Sequence, residues 1–258
     1  MTKDRKYIRE QKAKFFTGMG VPKPAPFVPD AFQNDAIRFL EQKLDTLVIA
    51  PTGSGKTFIA MRAIENILER GGRTVYTAPL KALSNAKYME FRSRFEPQYS
   101  VGLLTGDRKI EGDADIVVAT TEIYRNELYS SRGSYDLVVL DEFHYLADSQ
   151  RGPVWEESVI LSPRSATLLM LSASISNPQD IAQWIETIRH RQVMVVSVEK
   201  RPVELRLGFL HPTYGVIPLE DKDQKASSAV EEFYGKQGFK GPGGKSWARF
   251  RKGSSRAG

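Results

Sequence analysis

Residues 50–57 read Ala-Pro-Thr-Gly-Ser-Gly-Lys-Thr, and their flanks leave that stretch few ways to fold. Leu47-Val48-Ile49 is a β-branched apolar run that reads as a strand ending at Ala50. Beyond the loop, Ile59, Ala63, Ile64, Ile67 and Leu68 recur at helical spacing until Gly71-Gly72 stops the pattern. A strand, a glycine-rich turn and a helix in succession make a phosphate cradle. Gly53 and Gly55 let backbone N–H groups approach phosphate oxygens that a Cβ would obstruct. Lys56 can reach β- and γ-phosphates, and the Thr57 hydroxyl can sit on Mg²⁺. The strict pattern has a glycine where this chain has Ala50, but its core, Gly53–Thr57, is intact.

Residues 141–144 read Asp-Glu-Phe-His, directly after the apolar run Leu137-Val138-Val139-Leu140. Two carboxylates at the end of a buried strand are expensive unless something binds them. In open α/β sheets the carboxyl ends of strands are where ligands bind. A metal ion and an attacking water need carboxylates in that position, so the two motifs together indicate hydrolysis of a nucleoside triphosphate.

Strand patterns at 46–50, 74–78, 101–105, 115–119, 136–141, 167–172, 192–198 and 203–210 alternate with helical patterns at 31–44, 55–70, 81–95, 121–129, 154–161 and 178–189. The alternation predicts an α/β fold, a mostly parallel sheet wrapped on both faces. The expected division is a basic, Pro-rich N-terminal extension (1–26), one ATP-binding domain (27–219), and a Gly/Lys/Arg-rich tail or linker (220–258) that reads as disordered. The 258 residues hold no cysteine and three histidines. This excludes disulfides and thiolate metal sites, fits a reducing, cytoplasmic setting, and leaves no basis for structural zinc. No apolar run approaches a membrane span, and residues 1–16 lack the apolar stretch of a secretory signal.

The net charge of +6 sits at the ends of the chain. Residues 233–258 carry seven basic side chains and no acid, interleaved with Phe239, Trp247 and Phe250, while the central body is mildly acidic. Basic ends suit a polyanion such as nucleic acid, and aromatics among them can stack on single-stranded bases. A solubilising tail has the same charge.

The series of motifs resembles the first RecA-like domain of superfamily 2 DExH helicases, specifically the Ski2-like group, over roughly residues 27–210. Ala50–Thr57 matches its motif I and Asp141–His144 its motif II. Pro79-Leu80-Lys81-Ala82-Leu83-Ser84-Asn85 matches motif Ia, and Ser172-Ala173-Ser174 matches motif III. Thr105-Gly106-Asp107 and Thr120-Thr121-Glu122-Ile123 match two further motifs. The resemblance implies a three-layer RecA-like P-loop domain using ATP and Mg²⁺. By it, Thr52, Gly53, Ser54, Gly55, Lys56 and Thr57 hold the nucleotide, with Gln33 reading the adenine and Phe27 stacking on it. Thr57 and Asp141 hold the metal, and Lys56, Asp141, Glu142 and His144 are catalytic. Pro79, Leu80, Lys81, Thr105, Gly106, Thr120, Thr121 and Glu122 meet the nucleic-acid backbone. Ser172, Ala173 and Ser174 couple the two sites, with His144 expected to bond the Ser172 or Ser174 hydroxyl.

The resemblance also implies a second RecA domain carrying the transition-state arginine, and nothing after Leu219 matches it. The chain is therefore expected to be the ATP-binding half of a longer helicase, poorly active alone. RNA is the favoured polynucleotide, because residues 81–85, 120–123 and 143–148 look closer to the RNA-acting branch. A DNA helicase is the alternative. So is a non-catalytic binding module that kept the fold, although intact Lys56, Thr57, Asp141 and Glu142 argue for chemistry.

Overall fold

The computed structural model describes residues 9–10, 12–17, 28–130, 134–199, 206–211 and 215–218. The chain divides into two compact units, one spanning Phe27–Val203 and the other Met1–Pro26 with Glu204–Gly258. The expectations for Phe27 and for the tail at 220–258 lie outside the described residues.

In the larger unit the chain runs α1 (Ala31–Glu41), β1 (Asp45–Ile49), α2 (Lys56–Leu68), β2 (Thr74–Ala78), α3 (Lys81–Phe95), β3 (Val101–Leu104) and β4 (Lys109–Ile110). It continues through β5 (Ile116–Thr120), α4 (Thr121–Tyr129), β6 (Leu137–Leu140), a 3₁₀ turn (Phe143–Ala147), α5 (Gly152–Leu161), β7 (Thr167–Ser172), α6 (Pro178–Arg189) and β8 (Val193–Ser197). The eight strands form one sheet in the order β4-β3-β5-β2-β6-β7-β1-β8. Only the β3–β4 pair is antiparallel. The predicted α/β class and mostly parallel sheet are what the chain adopts.

Period-two alternation along each strand feeds two separate cores. Val48, Tyr76, Val118, Val139 and Leu171 pack on one face with Ala36, Ile59, Ile64 and Phe91 of α1–α3. Leu47, Val75, Val117, Val138 and Met170 pack on the other with Tyr124, Trp155, Val159 and Ile185 of α4–α6. Strands buried on both faces read as unbroken apolar runs, which is why their positions were visible in the sequence.

Four local features differ from the expectation. Helix α1 ends at Glu41 rather than Leu44, because Lys43 turns into the left-handed region (φ 59°). The two-residue strand β4 and the 3₁₀ turn were not expected; both are too short to show a period. In the smaller unit, β9 (Gly208–His211) overlaps the predicted strand at 203–210 and pairs antiparallel with an unpredicted β10 (Gly215–Pro218).

The amino-terminal ends of the strands are tied by two arginines. Arg189, buried at the end of α6, donates to Asp45 at the start of β1 (2.8 Å) and to the carbonyls of Ser162 and Ala166 (2.9 and 2.7 Å). The other Asp45 oxygen accepts from the Leu168 backbone N–H at 2.9 Å. Farther along the sheet, at the starts of β6 and β2, Asp136 accepts from the Arg73 backbone N–H (2.9 Å), and the Arg73 guanidinium holds the Ala114 and Gly112 carbonyls.

Candidate functional site

Every motif of the series lies at the carboxyl end of a parallel strand. The sheet order therefore dictates which motifs become neighbours. Going across the rim, Thr105 follows β3, Thr120 closes β5, Pro79 follows β2, Asp141 follows β6, Ser172 closes β7 and Ala50 follows β1. Motif III thus sits between motifs I and II, and the Ala50 backbone N–H donates to the Ser172 carbonyl at 3.0 Å.

The phosphate loop is built on two glycines with φ of +83°, Gly53 and Gly55. Gly55 is doubly constrained, because a Cβ there would fall 2.4 Å from the Gln33 side-chain nitrogen. Gln33 is buried in the first turn of α1, where its carbonyl oxygen accepts from the Asp30 N–H (2.9 Å) as half of a capping box. Its amide nitrogen donates to the Ser54 carbonyl at 3.0 Å. The residue expected to read adenine is thus also a brace for the loop. Lys56 donates to the carbonyls of Ala50 (2.6 Å) and Pro51 (3.2 Å). Burial pulls its ammonium below the ordinary value, while the nearby Glu142 and Asp141 carboxylates pull the other way. Thr52 and Gly53 are exposed, and the Ser54 hydroxyl is buried without a partner.

Across the loop, Asp141 is held from two sides. One oxygen accepts from the Glu142 backbone N–H at 2.9 Å, and the other from the Tyr76 phenol at 2.5 Å. Burial, then the Asp141 charge and hydrogen bond, push the Tyr76 phenol well above its ordinary value, so it remains a proton donor. Lys87, on α3, donates to the Thr57 hydroxyl (3.2 Å) and the Glu90 carboxylate (2.9 Å), and its nitrogen lies 5.9 Å from the centre of the Tyr76 ring. Glu142 adopts φ 57°, a left-handed conformation unusual for a residue with a Cβ.

His144 does not reach the serines. Its Nδ1 lies 3.3 Å from the Glu142 carboxylate, in ion-pair range but without hydrogen-bond geometry. Its ring stacks on Tyr145 with centroids 4.9 Å apart. The Ser172 hydroxyl instead donates to the Ser174 carbonyl at 3.1 Å. The 3₁₀ turn that follows Glu142 swings the histidine back toward that carboxylate. His144 and Ser174 share only the wall of an open pocket of about 480 Å³, also lined by Phe143, Ile175 and Ile181.

On the other half of the rim, Lys81 pairs with Asp107 at 3.2 Å, and the Thr105 hydroxyl donates to the same carboxylate. The Thr105 bond and then Lys81 hold the Asp107 carboxyl below its usual range. Asn85 donates to the Lys81 carbonyl and accepts from Arg108 at 2.8 Å. Leu80, Lys81 and Gly106 are exposed, while Pro79, Thr105, Thr120 and Thr121 are buried and Glu122 half-buried. The Thr121 hydroxyl is buried without a partner. Asn85, the last residue of motif Ia, and Arg108 extend this cluster, and Tyr76 and Lys87 extend the nucleotide cluster; the last three were not singled out in the sequence. A tyrosine inside a strand and a lysine inside a helix look like core and surface until the fold aims their polar tips at Asp141 and Thr57.

Among the described residues no cluster of three or more His, Asp or Glu side chains is placed to hold a metal ion. A Thr hydroxyl, one carboxylate and phosphate oxygens are instead the kind of oxygen set that Mg²⁺ takes. The glycine cradle, the orphaned Ser54 hydroxyl and the adjacent carboxylates fit a Mg²⁺–nucleotide. Among the described residues no helix is long and apolar enough to cross a membrane.

Comparison with known proteins agrees with this geometry. The DEAD/DEAH box helicase family profile matches residues 30–181. The chain is 46% identical over 202 residues to the DExH-box ATP-dependent RNA helicase DExH15, chloroplastic, of Arabidopsis thaliana, covering 75% of this chain and 17% of that protein. It is 44% identical to the probable helicase HelY of Mycobacterium leprae (70% and 20%). It is 40% identical to the antiviral helicase SKI2 of Saccharomyces cerevisiae (73% and 15%). The chain thus spans a fifth or less of these relatives' length. Among solved structures, the Pyrococcus furiosus Hef helicase domain superimposes with a TM-score of 0.51 and 25% identity, covering 67% of this chain and 38% of that one.

Proposed function

The chain belongs to the DEAD/DEAH box helicases, in their Ski2-like group, and on that footing we propose that it is the ATP-binding half of an ATP-dependent RNA helicase. The observation that carries the reading is the convergence of two separate motifs. The Gly53–Thr57 loop after β1 and the Asp141-Glu142 pair after β6 meet closely enough for both carboxylates to act on the Lys56 charge. A binding module that had merely kept the fold would have no need of that pair.

In this reading the loop's N–H groups and Lys56 hold the β- and γ-phosphates, and Thr57 and Asp141 hold Mg²⁺. Bound there, Mg²⁺ would neutralise charge on the phosphates. Glu142 orients and deprotonates the attacking water, with its carboxylate kept near His144. Gln33 meets the base while bracing the loop that carries the phosphates, and Ser172-Ala173-Ser174 transmits the state of the site along the rim. Leu80, Lys81, Gly106 and Glu122 meet the nucleic-acid backbone; the buried Pro79, Thr105, Thr120 and Thr121 shape that surface and contribute backbone groups. Such contacts position a polynucleotide without reading its bases. RNA is preferred to DNA because the similar Arabidopsis protein is an RNA helicase. The second RecA domain, expected in the parent protein, supplies the transition-state arginine, worth ~10³–10⁵ in rate.

Calorimetry with Mg²⁺–ATP on the chain and on Lys56→Ala tests the assignment. Affinity should fall about 10- to 100-fold, the worth of charge-assisted hydrogen bonds, with the melting temperature held. Equal affinity in the two proteins would remove Lys56 from the site.

A further inference from the structure

We propose that Tyr76 and Lys87 are positioning residues of the nucleotide site, Tyr76 fixing the carboxylate of Asp141 and Lys87 fixing the hydroxyl of Thr57. The inference rests on the assignment of those two groups as the metal-holding pair.

The geometry is specific. The Tyr76 ring is buried in the sheet core, packed edge-on against Phe91 at 5.2 Å, and its hydroxyl reaches Asp141 after β6. That hydroxyl donates to one Asp141 oxygen, while the Glu142 N–H occupies the other. Each carboxylate oxygen keeps a second lone pair. The two donors therefore fix the rotation of the carboxylate without using up its capacity to bind a cation. Among the staggered rotamers open to Asp141, the two donors select one.

Lys87 performs the parallel task on the opposite ligand. It reaches the Thr57 hydroxyl at 3.2 Å, is steadied by Glu90 at 2.9 Å and lies near the face of the Tyr76 ring. The two side chains thus lie beside each other, each bonded to one of the two metal-holding groups. Lys87 also stands on the helix whose first residues, Lys81 and Asn85, belong to the cluster with Asp107 and Arg108. Lys87 lies six positions beyond Lys81 on the helix, a rise of about 9 Å. One rigid rod therefore bears on both halves of the rim.

The test compares the 258-residue chain with Tyr76→Phe, Lys87→Met and Lys87→Arg. Tyr76→Phe deletes one oxygen and leaves the ring in its packing. The quantity read is the ratio of ADP affinity in Mg²⁺ to that in EDTA, by calorimetry, with thermal melting as a check on the fold. Loss of one hydrogen bond to a charged group predicts that the ratio falls about tenfold in Tyr76→Phe. It should fall in Lys87→Met and recover in part in Lys87→Arg, with melting temperatures little changed. An unchanged or increased ratio in Tyr76→Phe and Lys87→Met would overturn the proposal while leaving the nucleotide site standing. If the parent chain itself shows no Mg²⁺-dependent ADP affinity, the assignment of Thr57 and Asp141 fails, and this inference with it.

Discussion

Gly55 carries two constraints that any other residue would break together. Its φ of +83° disfavours a side chain, and the space a Cβ would fill already belongs to the Gln33 amide. Gly55→Ala should therefore distort the loop and push Gln33 out of its capping box, releasing the Asp30 N–H. Loss of the box and left-handed strain each cost about 1 kcal/mol or more. Chemical denaturation should show a loss of about 2 kcal/mol, and nucleotide affinity should fall with it. Gly53 offers a control: it shares the φ but has no atom near its missing Cβ. Gly53→Ala should incur the backbone strain without displacing Gln33. Equal losses in the two variants would mean that the Gln33 contact contributes nothing to stability.

Among the elements, those legible in the sequence were those with a long enough period. Strands such as Leu137–Leu140 and Thr167–Ser172 were visible because burial on both faces keeps their interiors apolar. The motif residues were visible because phosphate chemistry restricts the residue types at strand ends. The rest is tertiary. Nothing local to Glu142 foretells the 3₁₀ turn that points His144 back toward that carboxylate, and the alternation of β2 says only that Tyr76 faces inward. Likewise the tie between Arg189 and Asp45 joins residues 144 positions apart. It spans the end of α6, the start of β1 and the α5–β7 connection. Arg189→Leu would strip the buried Asp45 carboxylate of its closest cation, leaving it Arg191 and the Leu168 N–H, and would leave the carbonyls of Ser162 and Ala166 without their donor. Removing one partner of a buried pair costs about 3–5 kcal/mol, a shift that urea denaturation would report. Arg191, 3.3 Å from the same carboxylate, is mostly buried but nearer the surface. Its replacement by Leu should cost far less, since Arg189 would remain.

For the whole molecule, the sheet places nucleotide-side groups after β1, β7 and β6, and the groups proposed to meet RNA after β2, β5 and β3. The latter surface draws on few formal charges, and one of them, Lys81, already faces Asp107. Each phosphate contact removed from a nucleic-acid interface lowers the slope of log affinity against log salt by about 0.7 for single strands. Lys81→Ala and Arg108→Ala should each weaken binding of single-stranded RNA by the full chain and reduce that slope by about this amount. Fluorescence anisotropy at several salt concentrations measures both. Slopes unchanged in both variants would shift the electrostatic contact elsewhere, the seven basic residues of 233–258 being the next place to look. The two rims of the sheet also differ in how they are secured. Arg189 and Arg73 lock one end through charged and backbone hydrogen bonds, whereas the other is made of loops, among them the phosphate loop, whose Ser54 amide is bonded within its own turn. In deuterated water this becomes a difference in clocks. The Leu168 amide, donating to buried Asp45, should exchange only when the molecule unfolds as a whole, and the Ser54 amide, bonded within its own loop, through small openings far more often.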